Sequence, residues 1–127
     1  VKAPAEILRE IIIPKASADG ISSYIKFANR ESIDFPIVGA ALWASVNQKQ
    51  YRVAFTAVDR RPVRGIEAED FLNGKELSAE NTKTASDLAA KAAKPVKTSV
   101  YAPSHKRRMM GLLLQNAMNE VKRRSSE

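Results

Sequence analysis

The stretch Tyr24-Ile-Lys-Phe-Ala-Asn-Arg-Glu-Ser-Ile-Asp-Phe-Pro-Ile-Val38 joins a charge-bearing loop to an apolar run that continues as Gly39-Ala-Ala-Leu-Trp-Ala-Ser-Val46. In an extended chain, successive side chains point to opposite faces. Val38, Ala40, Leu42, Ala44 and Val46 therefore share one face, and Ile37, Gly39, Ala41, Trp43 and Ser45 share the other. Such a strand is buried on at least one side. Just before it, Lys26, Arg30, Glu31 and Asp34 fall within nine residues, so a rigid element delivers several charges to one place, as in many binding loops. A solvated loop leading into a strand has the same spacing.

Working outward, Asn47-Gln-Lys-Gln50 reads as a polar turn, after which Tyr51, Val53, Phe55 and Ala57 alternate with Arg52, Ala54, Thr56 and Val58. This predicts a hairpin. On the other side, Glu6-Ile-Leu-Arg-Glu-Ile-Ile-Ile-Pro14 is rich in β-branched residues and is stopped by a proline, which predicts a first strand over 6–13. Lys15 to Gly20 is a small-residue loop, and Ile21 to Phe27 reads as extended.

The second half changes period. Pro62 precedes Val63-Arg-Gly-Ile-Glu-Ala-Glu-Asp-Phe-Leu72, and Asn73-Gly74 closes it, which predicts a helix over 64–73. Ser78 is placed to cap a helix over 79–93 whose stripe of Ala85, Leu88, Ala89 and Ala92 is narrow enough for close packing. Beyond Pro95 and Pro103, a helix over 105–122 places Met110, Leu113, Leu114, Ala117, Met118 and Val121 on one core-facing side, its methionines serving as core filling. Strands followed by helices predict an α+β fold, an antiparallel sheet of three or more strands packed against about three helices.

A chain of 127 residues is one domain's worth, so residues 1–127 are expected to form a single domain. Without cysteine there are no disulfides or thiolate ligands, and a single His disfavours a protein-only metal site. With no apolar run of membrane-spanning length and no signal-peptide pattern at Val1-Lys-Ala-Pro4, the chain reads as soluble, intracellular and cytoplasmic.

The net charge of +7 is concentrated in Lys106, Arg107, Arg108, Lys122, Arg123 and Arg124. This allows a nucleic-acid-binding module or a helix face that docks on an acidic neighbouring protein. Tyr101 is the only aromatic residue beyond Phe71, which leaves no series of stacking platforms for nucleic acid. Neither a nucleophile elbow nor a convincing carboxylate pair supports a free-standing hydrolase or transferase.

The block Tyr24, Lys26, Arg30, Ser32, Asp34, Phe35, continued by Ile37 and Val38, resembles the C-terminal domain of the FAD-binding subunit of molybdenum hydroxylases, the carbon monoxide dehydrogenase and xanthine dehydrogenase type. The family pattern runs Tyr, Lys, a pair of arginines, Ser, one residue, then Asp-Phe-Ala. Asn29 stands where the first arginine is usual, and Pro36 where a small residue is usual. Further matches are Pro62-Val-Arg64, Glu67-Ala-Glu69, Gly74-Lys75 and, loosely, His105-Lys106-Arg107 for a Tyr-Arg-Arg step. Thr56 and Ala57 replace the family's paired glycines.

The resemblance implies an α+β fold like that flavoprotein domain and a part in electron transfer within an oxidoreductase complex, inactive as an isolated chain. The partners it implies are FAD-binding N-terminal domains, an iron–sulfur subunit and a molybdopterin subunit. Lys26 matches a lysine that approaches the isoalloxazine end of FAD, and the loop to Asp34 matches the segment covering the flavin face. By their own chemistry, Lys26 could equally be a solvated lysine lying on the sheet, and Asp34 a cap or a partner of Arg30. The five glycines are scattered and form no G-x-G-x-x-G, so FAD is expected only together with glycine-rich domains that this sequence lacks. Such a chain looks like a fragment or a separately encoded piece. Tyr24 reads as a core or edge aromatic, and His105 as structural or solvated.

Overall fold

The computed structural model describes residues 3–15, 20–30, 33–96 and 101–126. Glu31 and Ser32 of the charged loop, and residues 16–19 of the small-residue loop, lie outside the described residues. Four strands, β1 (Ile21–Phe27), β2 (Val38–Ser45), β3 (Gln50–Thr56) and β4 (Val63–Arg64), form an antiparallel sheet in chain order. Three helices follow, α1 (Ile66–Leu72), α2 (Ala79–Ala92) and α3 (Pro103–Arg124). The α+β expectation holds.

Register decides the two faces of the sheet. Ile25, Ala40 and Phe55 are aligned, as are Ser23, Leu42 and Val53, and Ile21, Ala44 and Tyr51. These rows face the helices, and Ala40, Leu42, Ala44, Tyr51, Val53 and Phe55 are buried there. α3 packs on β1 and β2 through Met110, Leu113, Leu114, Ala117, Met118 and Val121, all buried as the period predicts. α2 lies against α3, with Ala85, Ser86 and Ala89 buried. Gly111 permits this close crossing: a Cβ there would sit 3.1 Å from the Ser86 carbonyl oxygen. The Ser78 hydroxyl accepts from the Asn81 N–H at 3.1 Å, capping α2 as expected.

Three expectations are corrected. Residues 6–13 form no strand. Ile7 is 90% exposed and Leu8, Ile11, Ile12 and Ile13 are exposed with it, because β-branched side chains favour a strand only where a ladder partner and a covering face exist. The helix predicted to start at 64 starts at Ile66, since Val63 and Arg64 pair with Phe55 and Ala54 as β4. The alternation after Phe55 also breaks. Ala57 adopts φ +61°, which turns Val58 inward to a buried position.

α1 finishes the edge of β3 with its side chains. The Val53 N–H donates to Glu69 Oε1 at 2.9 Å and the Tyr51 N–H to Asn73 Oδ1 at 2.8 Å, while Gly65 N–H donates to the Val53 carbonyl at 2.9 Å. Residues 69 and 73 are one helical turn apart and alternate N–H groups of a strand point the same way, so the two spacings match. Glu69, only 2% exposed, also receives both the Nε (2.8 Å) and an Nη of Arg64. That hydrogen bond and the carboxylate charge hold the Arg64 guanidinium above its ordinary pKa.

Candidate functional site

The charged loop leaves the end of β1 and is closed at its base by Ile37 N–H donating to the Phe27 carbonyl at 2.7 Å. Inside it, Asp34 acts on the backbone. Its Oδ2 accepts from the Arg30 N–H at 3.1 Å and its Oδ1 from the Phe35 N–H at 2.8 Å, an arrangement typical of aspartate in turns. The Arg30 Nε lies 3.7 Å from Oδ2, and Arg30 itself is largely exposed. Lys26 projects from the sheet face opposite the helices, aligned with Gly39 and Thr56, and its Nζ donates to the Asp34 carbonyl at 3.3 Å. Lys26 and Asp34 therefore meet in one structure, the lysine beside the loop and the aspartate organising it.

Beside Lys26 the open face is shaped by small residues. Tyr24 is 53% exposed, an edge aromatic rather than a core one, and its ring lies across Gly39, where a Cβ would collide with the Tyr24 ring and with Thr56 Oγ1. Tyr24 Oη and Thr56 Oγ1 are 3.3 Å apart. Further along, Tyr24, Trp43, Arg52 and Arg64 surround a recess of about 400 Å³ floored by Ala41 and Ala54. A second cleft, of about 420 Å³, lies on the far side of the molecule's β3–β4 connection, against the end of α2, and includes neither Lys26 nor Asp34.

Sequence patterning overlooked several parts of this region. Ile33 and Phe35, at the loop, are 96% and 91% exposed, so two large apolar side chains stand beside the charges. Beneath the loop, Phe27 meets Tyr101 and His105, whose rings stack with centroids 5.1 Å apart, and Tyr101 Oη donates to Asn29 Oδ1 at 2.8 Å. His105 is thus a structural, half-buried residue. Lys106, beside it, is fully buried, its Nζ donating to the carbonyls of Ala57 (3.1 Å) and Val96 (3.4 Å), and burial pushes its pKa below the ordinary lysine value. Of these, Asn29, Phe35 and the His105-Lys106 step entered the sequence reading through the family pattern, and nothing there pointed to their contacts.

The basic cluster is largely consumed by the fold. Besides Lys106, Arg107 donates to the Ala93 carbonyl, Arg124 to the Ser22 carbonyl, and Arg123 pairs with Glu120. Among the described residues there is no group of His, Cys, Asp and Glu able to hold a metal, and no helix long and apolar enough to cross a membrane.

The described residues fit a dinucleotide only in part. α1 is preceded by Gly65, whose N–H is already given to the Val53 carbonyl, α2 is capped by Ser78, and α3 begins with Pro103, so no helix start among the described residues forms a phosphate cradle. Lys26 and its loop present a cation and backbone suited to the ring end.

A comparison with curated proteins finds no match. Among solved structures, carbon monoxide dehydrogenase from Hydrogenophaga pseudoflava, lacking the Mo-pyranopterin moiety, superposes with TM-score 0.74 at 24% identity over 84% of this chain and 38% of that one. Quinoline 2-oxidoreductase from Pseudomonas putida 86 gives 0.70 at 24% identity over 82% and 37%, and reconstituted CO dehydrogenase from Oligotropha carboxidovorans gives 0.73 at 22% over 90% and 40%. The fold is shared, and this chain spans about two fifths of those chains' length. The model of the CO dehydrogenase flavoprotein C-terminal domain matches residues 23–121, from the third residue of β1 to the last buried position of α3, and the chain belongs to that family.

Proposed function

We propose that residues 1–127 serve as the C-terminal domain of the FAD-binding subunit of a molybdenum hydroxylase-type oxidoreductase, covering one end of the flavin and docking on partner chains. The observation that carries this reading is the family match over 23–121 together with a loop, Lys26 to Asp34, in which a cation stands beside a backbone held rigid by an aspartate. FAD, when bound with glycine-rich domains, supplies the electron-carrier chemistry. Lys26 would stand at the pyrimidine end of the ring, where a cation favours the negative charge of the reduced form, and Asp34 would contribute by fixing the loop that covers the ring face. The exposed Ile33 and Phe35, and the exposed Ile7, Leu8, Ile11, Ile12 and Ile13, support docking, since clustered large apolar side chains mark surfaces that partners cover. We take the partners to be the FAD-binding N-terminal domains and the iron–sulfur and molybdopterin subunits.

In the assembled enzyme, Lys26→Ala should lower the flavin midpoint potential while leaving substrate oxidation at the molybdenum centre intact. A potential unchanged by the substitution would remove Lys26 from the flavin's surroundings. This chain alone, without a phosphate cradle, should give no saturable quenching of FAD fluorescence at micromolar concentrations, and tight binding by the lone chain would contradict the division of labour.

A further inference from the structure

The three rings under the loop come from distant parts of the chain. Phe27 ends β1, Tyr101 precedes α3, and His105 lies in the first turn of α3. Tyr101 and His105 stack at 22° between planes, and Phe27 meets Tyr101 nearly edge-on, with centroids 6.2 Å apart and an angle of 72°. His105 Nε2 is buried with no hydrogen-bond partner among the described residues, and the other rings pack against this imidazole. A tyrosine held in such a stack has already lost its rotamer freedom, and its hydroxyl can make a hydrogen bond at little further entropic cost. That hydroxyl donates to Asn29, 72 positions away and next to Arg30, whose N–H is fixed by Asp34.

We propose that Tyr101, acting through Asn29, is a positioning residue for the loop that carries Lys26 and Asp34. It ties the first half of the loop to α3, as Asp34 ties the second half to the first. The inference rests on the reading of that loop as the flavin-facing one. Asn29 supplies the acceptor in this pair, its Oδ1 accepting from the tyrosine hydroxyl. The loop's set is thereby coupled to the segment that leads into α3 rather than left to its own internal contacts.

The test uses the assembled flavoprotein with Tyr101→Phe, which keeps the ring stack, Asn29→Ala, and the double variant. Amide hydrogen exchange at Ala28, Asn29, Arg30, Ile33, Asp34 and Phe35 should accelerate by roughly fivefold in either single variant, the factor of one ordinary hydrogen bond. The double variant should go no further, and exchange around Leu113–Val121 should stay as it was. The flavin midpoint potential should move in Tyr101→Phe in the same direction as in Lys26→Ala and by less, and should not move when Tyr101→Phe is added to Lys26→Ala. Unchanged loop exchange, additive effects in the double variant, or a potential that responds to Lys26→Ala but not to Tyr101→Phe would each overturn the proposal. Faster exchange with a potential that ignores Lys26→Ala as well would uphold the positioning of the loop and remove the flavin reading instead.

Discussion

The two outer sides of the sheet end differently. At β3 the strand's outward N–H groups, beyond the two residues of β4, are met by Glu69 and Asn73 of α1, and Glu69 is buried under Arg64. At β1 no strand among the described residues lies outside, Arg124 reaches the carbonyl of Ser22, and a cleft of about 670 Å³ opens between the strand and the end of α3. The N-terminal segment, aliphatic and exposed, covers neither side. One edge is thus completed by the domain's own residues, with polar groups matched atom to atom, while the β1 side and the charged loop at its end stay open. Edge strands need such management because unmet backbone groups recruit other chains.

The sharpest way to break the comparison is Glu69→Ala. It strips the Val53 N–H of its acceptor in a buried place and leaves Arg64 unpaired, so denaturant unfolding should show a loss of about 3 kcal/mol. Glu69→Gln, which keeps an acceptor oxygen, should lose less, and equal losses would mean that the charge rather than the edge bond matters. Next comes Asn73→Ala, expected to cost about 1–2 kcal/mol through the Tyr51 N–H. A loss in the unfolding slope without a change in midpoint would point to a different mechanism. On the open side the effect on this fold should be smallest. Changing Ile7, Ile11 and Ile13 together to Ser should leave stability within about 0.5 kcal/mol, since exposed side chains contribute little, while weakening assembly with partner chains in a pull-down or sedimentation measurement. A large stability loss would show that the segment packs on this domain, and unchanged assembly would deny it a docking role.

The rows of the sheet were legible before any coordinates. Val38, Ala40, Leu42 and Ala44 alternate because side-chain direction alternates, and the α3 stripe from Met110 to Val121 follows the helical period for the same reason. The same logic overreached at 6–13, where composition looked like a strand and nothing pairs with it. It also missed β4, whose two residues are too few to carry a period. In the candidate site, Lys26 and Asp34 stood out by charge spacing and resemblance. Tyr101 did not, because a hydrogen bond across 72 positions leaves no local pattern, and Glu69 entered only as part of the Glu67-Ala-Glu69 match, with nothing local to show its bond to Val53.

What the sequence determined by itself is the set of faces: which residues turn toward a core, which stretches are helical, and which loop gathers charge. Those follow from the geometry of a few neighbouring residues. What only the tertiary structure decided is which polar groups answer one another. Glu69 became the edge cap of β3, Lys106 an internal donor to Ala57 and Val96, and Asn29 the acceptor of Tyr101, once chain segments far apart in sequence were brought within hydrogen-bond distance. Burial then fixed their roles, because a polar group removed from water must find its partner in the fold.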